Sequence, residues 1–189
     1  MPGSGKSTVG RQLARRLQLP FIDLDHRIEA HLGYSIREHF EREGEVAFRD
    51  LESAMLTEVL KEPCSVLSTG GGTVIRDVNR QQLRAHSTVF YLRTQPHEIH
   101  RRLRNDLNRP LLQVADPMAR LRELFQTRDP WYRDAAHHVI ELPKPRVSSL
   151  IHAVIDLLPP ELANRASARH DDRASTVSPP VSHDPRTPH

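Results

Sequence analysis

The first residues of the chain have the composition and spacing of a phosphate-binding loop. The sequence MPGSGKST places glycines, a lysine and hydroxyl residues directly before a predicted helix. In such a loop, backbone N–H groups and the helix N-terminus bind a polyphosphate, Lys6 reaches the β- and γ-phosphates, and Ser7 binds Mg²⁺. A chance glycine turn is the alternative, but the position before a helix favours the loop. The predicted nucleotide-binding residues of this segment are Gly3, Ser4, Gly5, Lys6, Ser7 and Thr8.

Two acids follow the next apolar segment. Asp23 and Asp25 lie two residues apart in PFIDLD, which is typical of a short strand. Residues two apart on a strand project to the same side, here at the edge of the sheet where nucleotides bind. One carboxylate would then bind the metal, and the other would orient a substrate hydroxyl or accept its proton. The alternative is a pair of turn or N-cap aspartates, with Asp25 capping the next helix.

A glycine triplet ends the next apolar run. The sequence CSVLS predicts a buried strand, and it is followed at once by TGGG. Glycines occur in any tight turn, so the triplet alone is a weak signal. At the carboxyl end of a strand, however, Gly70, Gly71 and Gly72 would form a donor-rich turn that could bind an anion or a hydroxyl. Cys64, at the start of this strand, is expected to be an inert core thiol.

The rest of the pattern alternates predicted helices and strands. The acids are followed by a helix from about 27 to 32, a helix capped by Ser35 and Glu38 that ends at Gly44, and a long helix ending near Pro63. STVFYLR and HHVIEL predict two more strands, and residues 118–136 a helix interrupted at Pro130. This alternation predicts a three-layer α/β/α fold with a parallel sheet.

Composition limits the classes of function. The 189 residues carry 27 Lys and Arg against 24 Asp and Glu, a net charge of +3 that does not indicate nucleic acid or a membrane as the partner. Cys64 is the single cysteine, which excludes an intramolecular disulfide and fits a reducing cytoplasm. No apolar stretch reaches the roughly 20 residues that span a bilayer. We expect a cytoplasmic protein, and anionic small molecules remain open as ligands.

The composition changes near residue 159. The last segment, 159–189, is rich in Pro, Ser, Asp and Arg and has almost no large apolar residues. Such a segment cannot bury enough apolar surface to fold, so we predict a disordered tail after a domain of residues 1–158. A phosphorylated or partner-binding tail is the alternative interpretation.

Several motifs together resemble the shikimate kinase family. PGSGKST, FIDLD, FEREGEVAFRDLE, STGGG, RPLL and RDPWY occur in the family's order and at similar spacing over residues 1–158. The resemblance implies a P-loop kinase of the nucleoside-monophosphate-kinase-like fold, with strand order 2-3-1-4-5. It also implies transfer of the γ-phosphoryl group of ATP, with Mg²⁺, to the 3-hydroxyl of shikimate.

The resemblance implies a substrate site built largely from residues 24–60. Asp25 corresponds to the residue that meets the shikimate hydroxyls and acts as the base, while Asp23 lies near Mg²⁺. Arg49 resembles an arginine that pairs with the shikimate carboxylate, and Glu52 the acid that holds it. A planar guanidinium suits a carboxylate, although a surface ion pair is the alternative for any arginine. Further implied substrate-binding residues are Phe40, Phe48, Gly71, Gly72 and Arg128.

Two other arginines are implied on the nucleotide side. Arg109 in NRPLL resembles the arginine of a lid, at about residues 105–120, that closes over the phosphates and assists catalysis. Arg102 corresponds to an arginine that packs against adenine. Shikimate is the implied small-molecule partner, and we expect a monomer.

The family pattern also has a strand and a first glycine before the loop, and this sequence shows neither. We expect that Met1 is an internal methionine and that the natural product begins roughly ten residues earlier, enough for one strand. Without this central strand, two sheet edges would lack partners, and we predict a poorly folded or inactive protein.

Two other functions remain open from the sequence. One is a kinase for another small hydroxy acid such as gluconate, although FRDLE and RDPWY favour a site with two arginines for a carboxylate. The other is a catalytically dead nucleotide-binding module, which would follow from the absent strand.

Overall fold

The computed structural model describes residues 1, 3–103, 114, 116–142 and 146–166. Within these residues, helices and short strands alternate as the sequence predicts. The elements in chain order are α1 (Lys6–Leu17), β1 (Phe21–Asp23), α2 (Leu24–Leu32), α3 (Ile36–Lys61), β2 (Val66–Ser68), a 3₁₀ turn (Thr73–Ile75), α4 (Asp77–His86), β3 (Phe90–Leu92), α5 (Pro96–Leu103), α6 (Pro117–Ala135), β4 (His138–Ile140) and α7 (Val147–Ile155).

The strands form two parallel ladders. β1 pairs with β2, with Ile22 opposite Leu67, and β3 pairs with β4, with Tyr91 opposite Val139. The predicted order 2-3-1-4-5 counts the strand expected before the phosphate loop as strand 1. The strands β1 and β2 therefore correspond to strands 2 and 3 of that order, and β3 and β4 correspond to strands 4 and 5. In the described part of the chain the two ladders share no strand. The predicted parallel α/β fold is confirmed.

Helices cover the ladders and close three apolar clusters. Helix α1 buries an apolar stripe through Val9, Leu13 and Leu17, which packs with Leu150 and Val154 of α7. A second cluster lies between β1, α2, α3 and α4, and a third joins α5 and α6. Burial of these large aliphatic side chains fixes α1, and with it the loop in front of it, against the sheet.

Helix α3 changes direction at Gly44. Its N-cap is Ser35, whose Oγ accepts the backbone N–H of Glu38 at 3.2 Å, so the predicted cap is confirmed. Gly44 has φ 82° and ψ 177°, which no helical residue adopts, and helix continues on both sides of it. The predicted end at Gly44 is therefore a break between two helical segments.

Three local expectations are wrong. Helix α2 begins at Leu24 and not at about 27, because the fully buried Leu24 is already part of its packed face. Helix α6 continues through Pro130, whose missing N–H removes one helical hydrogen bond while buried residues on either side, Leu124 and Tyr132, keep the helix packed. Cys64 is exposed, because β2 begins only at Val66 and the thiol lies in the connection before it.

The chain beyond α7 also differs from the expectation in part. Residues 160–166 are helical, and Ala166 packs beside the apolar cluster of α1 and α7, whereas a disordered tail is expected from residue 159. The apolar contact accounts for the difference, since Leu158 joins the same cluster. Residues 167–189 lie outside the described residues. No helix of the described residues is long and apolar enough to cross a membrane.

Candidate active site

The phosphate-binding loop lies at the N-terminus of α1. Gly3 and Gly5 both have positive φ, 70° and 92°, and a Cβ on Gly3 would lie 2.6 Å from Leu103. Only glycine therefore fits where the loop passes α5. Lys6 Nζ donates to the Met1 carbonyl at 2.8 Å, and the buried Ser4 donates to the same oxygen at 3.0 Å.

A cavity of about 550 Å³ adjoins the loop. Arg102, predicted on the nucleotide side, lines it and donates to the Ser4 carbonyl at 3.4 Å. Arg101 and the start of α7 were not predicted to lie here, because residues far from a motif in the chain carry no local signal. The cavity is lined by Gly3, Ser4, Gly5, Thr8, Val9, Arg101, Arg102, Arg146, Val147 and Leu150.

Ser7 and Asp23, the predicted metal ligands, are in contact. Ser7 Oγ donates to Asp23 Oδ2 at 2.8 Å, and it lies 3.2 Å from the hydroxyl of Ser68. The parallel register places Ser68 directly opposite Asp23 at the ends of β2 and β1. All three groups offer oxygen, the donor that Mg²⁺ prefers, so the residues fit this ion. Ser68 was missed because only strand pairing brings it beside Asp23.

Asp25 lies in the first turn of α2 and not on the strand with Asp23. Asp25 is exposed, yet the surrounding protein still reduces the hydration of its carboxylate. This desolvation, followed by repulsion from Asp23 and Glu52, raises the pKa of Asp25 to about 6, while Lys6 opposes the shift. Solvent in the cleft screens part of these interactions. A carboxylate of this kind suits proton transfer near neutral pH.

Arg49 and Glu52 form a buried ion pair on α3. Arg49 Nη1 donates to Glu52 Oε2 at 2.6 Å, and the side chains are 12% and 1% exposed. The other carboxylate oxygen of Glu52 accepts the hydroxyl of Thr73 at 2.7 Å. A buried carboxylate with both oxygens occupied holds the guanidinium in one orientation. Asn79, which donates to the Thr73 carbonyl at 3.0 Å, extends this support.

The predicted aromatic walls lie beside Arg49. The rings of Phe40 and Phe48 are 4.6 Å apart, and the guanidinium lies 5.1 Å from the centre of the Phe48 ring. The break at Gly44 allows these two residues, one on each helical segment, to meet. The guanidinium is thus held by the Phe48 ring and by two acids, since its Nε and Nη2 also lie 3.4 and 3.3 Å from Glu45 Oε1.

The glycine triplet makes room for charged side chains. A Cβ on Gly70 would lie 2.5 Å from Asp25 Oδ1, and one on Gly72 would collide with the guanidinium of Arg49. The carbonyl of Gly71 accepts from Arg128 Nη1 at 3.1 Å and from the Tyr132 hydroxyl at 2.6 Å. The triplet therefore brings together predicted residues from α2, α3 and α6.

The structure describes only part of the lid predicted at about residues 105–120. Arg109 lies outside the described residues, as does most of the expected lid. Residues 117–120, at the end of that expected lid, belong instead to α6, which begins at Pro117 with the Asp116 side chain as its cap. Among the described residues, no three His, Cys, Asp or Glu side chains cluster as metal ligands.

Comparison with known proteins gives a consistent result. The family model described as shikimate kinase matches residues 2–159. The shikimate kinase of Paracidovorax citrulli is 61% identical over 142 residues, which cover 74% of this chain and 78% of that protein. The shikimate kinase of Ralstonia nicotianae is 52% identical over 153 residues, covering 81% and 80%.

Solved structures agree with these relatives. The shikimate kinase from Acinetobacter baumannii in complex with shikimate is 42% identical, with a TM-score of 0.78 over 82% of this chain and 87% of that one. The shikimate kinase from Bacteroides thetaiotaomicron is 32% identical, with a TM-score of 0.77 over 83% and 93%. The phosphate loop, the paired acids and the buried Arg49 thus occur in a chain that belongs to the shikimate kinase family.

Proposed function

We propose that this chain transfers the γ-phosphoryl group of ATP to the 3-hydroxyl of shikimate, giving shikimate 3-phosphate and ADP. The observation that carries the proposal is the arrangement of Asp25 between a phosphate loop and a buried, oriented Arg49. One side of this arrangement suits a polyphosphate and the other a carboxylate on a hydroxylated ring. Family membership supports the same reaction.

The loop and α1 bind the triphosphate. The backbone N–H groups of Gly3 to Lys6 and the positive end of the twelve-residue α1 favour anionic oxygens. The Lys6 ammonium, which here contacts the Met1 carbonyl, would exchange this neutral acceptor for phosphate oxygens. Thr8 and Arg102 line the adjoining cavity, where the nucleoside fits.

Ser7 and Asp23 would hold Mg²⁺, with Ser68 beside them. The ion, when bound, neutralises charge on the phosphates during transfer. Ser7 already donates its proton to Asp23, so the contact with Ser68 uses one lone pair of the Ser7 oxygen and the other stays available to an electrophile. This oxygen set and the contact between Ser7 and Asp23 support the choice of Mg²⁺.

The other side of the site orients the acceptor. Arg49 and Arg128 come from different helices, α3 and α6, and would bind the shikimate carboxylate between them. Phe40 and Phe48 would form the apolar wall of the ring pocket. The hydroxyl oxygen of shikimate would bond to the γ-phosphorus while the bond from that phosphorus to ADP breaks. Asp25 would accept the proton that this hydroxyl loses. Arg109 on the lid would stabilise charge on the transferred group.

Two alternatives from the sequence are not favoured. A gluconate-type kinase or a dead nucleotide-binding module fits the phosphate loop equally well, but relatives named shikimate kinase match most of the chain. We further propose a cytoplasmic monomer, and light scattering on the purified protein tests the mass. The exposed Cys64 is compatible with a reducing compartment.

The test is phosphoryl transfer from ATP to a panel of hydroxy acids, with the product identified by mass spectrometry. We expect phosphorylation of shikimate and not of gluconate, and dependence on Mg²⁺. Lys6→Ala should abolish ADP binding measured by calorimetry, because no other side chain of the loop carries a positive charge. The matched control is Lys61→Ala, an exposed lysine on α3 paired with Glu58, which should bind ADP normally. Phosphorylation of gluconate instead, or ADP binding by Lys6→Ala, would contradict the proposal.

A further inference from the structure

We propose that Tyr132 is a positioning residue that holds the carbonyl of Gly71 and thereby allows Arg128 to leave it for the substrate carboxylate. The inference rests on the proposed function, since it concerns how the second arginine becomes available to shikimate. Tyr132 is the last residue of the RDPWY motif, but the motif assigns it no role; its role follows from the acceptor that it shares with Arg128.

The Gly71 carbonyl accepts two hydrogen bonds. The Tyr132 hydroxyl lies 2.6 Å from it and Arg128 Nη1 lies 3.1 Å from it. A carbonyl oxygen has two lone pairs, so both donors are accommodated at once. A carboxylate forms stronger, bidentate bonds with a guanidinium than a neutral carbonyl does. Arg128 would therefore exchange the carbonyl for the substrate, and the tyrosine bond would keep the carbonyl satisfied after the exchange.

The orientation of Tyr132 is fixed by its surroundings. The side chain is 7% exposed and stacks on Tyr91, with ring centres 4.9 Å apart and planes at 24°. Tyr91 in turn donates to Asp129 at 2.9 Å, which also accepts from Arg93 and Arg133. Burial raises the pKa of Tyr132 to about 12, so its hydroxyl keeps its proton over the physiological range.

The position of Gly71 matters because its neighbours touch the predicted catalytic groups. Gly70 lies against Asp25, and Gly72 lies against the guanidinium of Arg49. Any movement of the Gly71 carbonyl towards another donor would therefore displace both contacts. Tyr132 and Arg128 are four residues apart on α6, which puts both on the helix face towards the triplet. Helix α6 thus supplies both Tyr132, which holds the carbonyl, and Arg128, which leaves it.

The test compares Tyr132→Phe with Tyr91→Phe. Both remove one hydroxyl from the same stacked pair, but only the first removes a donor to Gly71. For Tyr132→Phe we expect the dissociation constant for shikimate, measured by calorimetry, to rise about five- to tenfold, the range of one lost hydrogen bond. ADP affinity should not change, and KM for shikimate should rise far more than kcat falls. Tyr91→Phe should retain wild-type shikimate affinity.

A double-mutant cycle with Arg128→Ala separates positioning from general destabilisation. Without Arg128 there is no exchange at Gly71, so Tyr132→Phe should weaken shikimate binding clearly less in that background than in the wild-type background. A full effect in that background, no effect in the wild-type background, or an equal effect of Tyr91→Phe would each overturn the inference. If the wild-type chain binds ADP but not shikimate, the proposed function fails. If it binds shikimate and Tyr132→Phe binds equally well, only the role of Tyr132 fails.

Discussion

Asp25 is the residue at which function and stability oppose each other. It lies near Asp23 and Glu52, and desolvation together with these charges raises its pKa to about 6. A raised pKa means that the folded state holds the proton more tightly than the unfolded chain does. Ionisation of Asp25 therefore disfavours the folded state, and the ionised form is the one that can accept a proton from a hydroxyl. Desolvation by the surrounding protein is the largest source of this cost, and repulsion from Asp23 and Glu52 adds to it.

We predict that Asp25→Asn lowers kcat by about 10²- to 10⁴-fold, the usual contribution of a general base. In the unmodified protein, kcat/KM for shikimate should fall below an apparent pKa of about 6, because protonated Asp25 cannot accept the hydroxyl proton. Steady-state rates from pH 5 to 8 check both points. The control is Asp50→Asn, an exposed acid on α3 paired with Arg76, which should retain the rate. Loss of less than fivefold in kcat would contradict the assignment.

Asp25→Asn should also raise the stability of the fold, by an amount that depends on pH. The contribution of Asp25 to folding is most favourable below its ordinary pKa near 4 and is lost as the pH rises through about 6. Asp25→Asn removes this loss, so it should melt at a higher temperature than the unmodified chain at pH 7.5. The difference should shrink at pH 4.5. Thermal melts at the two pH values measure it, and an equal difference at both would exclude the electrostatic cause.

At the scale of the element, the break in α3 shapes the substrate pocket. An uninterrupted helix would carry Phe40 and Phe48 along one straight cylinder, two turns apart, about 12 Å along its axis. With the break at Gly44 their rings lie 4.6 Å apart and flank Arg49. The backbone conformation of a single glycine thus decides whether the aromatic wall and the arginine share one pocket.

We predict that Gly44→Ala destabilises the protein by about 1–3 kcal/mol, because alanine is strained at φ 82° and ψ 177°. The dissociation constant for shikimate should rise as the wall is displaced. Gly33→Ala is the matched control, since Gly33 also has a positive φ of 77° and also has open space where a Cβ would stand. Denaturant unfolding should show a lower free energy of unfolding for both variants. Calorimetry should show a lower shikimate affinity only for Gly44→Ala. Normal shikimate affinity in Gly44→Ala would show that the break in α3 does not determine shikimate binding.

Local signals predicted those elements that local physics determines. The Ser35 cap and the break at Gly44 follow from side-chain capping and from a backbone region open to glycine, and both are confirmed. The start of α2 at Leu24 and the continuation of α6 through Pro130 depend on burial against other elements. Propensity alone cannot predict such boundaries, because tertiary packing outweighs it.

At the scale of the whole molecule, two ladders carry one site. β1 and β2 place Asp23 and Ser68, while β3 and β4 support α6 through the contact of Tyr91 with Tyr132. Among the described residues, no backbone hydrogen bond of the sheet joins the two ladders. Helices and the glycine triplet therefore carry the connection between the two sides of the cleft.

We predict that an apolar segment of about six residues ending in glycine, added before Met1, raises the melting temperature by more than about 4 °C. Such a segment can pair with the edges of the two ladders, which share no strand among the described residues. About 2–4 °C corresponds to 1 kcal/mol in a chain of this size. It should also increase the stabilisation by ADP. The control is a Gly/Ser segment of the same length. Equal melting temperatures for the two additions would contradict the prediction.

The sequence motifs account for most of the site's chemistry but not for its support. The loop, the acids and the arginines are visible because each motif is local and chemically distinctive. Thr73, Ser68 and Tyr132 contribute single hydrogen bonds to these groups, and each reaches its partner only after distant segments pack. Ser68 and Tyr132 belong to the motifs STGGG and RDPWY, but a motif does not show which partner each hydroxyl contacts, because that depends on packing between distant segments.

The exposed thiol of Cys64 offers a practical route to observing the molecule in motion. It is the single cysteine of the chain and lies in the connection from α3, which carries Arg49, to β2, which ends beside Ser7 and Asp23. A maleimide fluorophore would therefore attach at one place without mutagenesis. Its emission would report rearrangement of that connection in real time as nucleotide and acceptor are mixed.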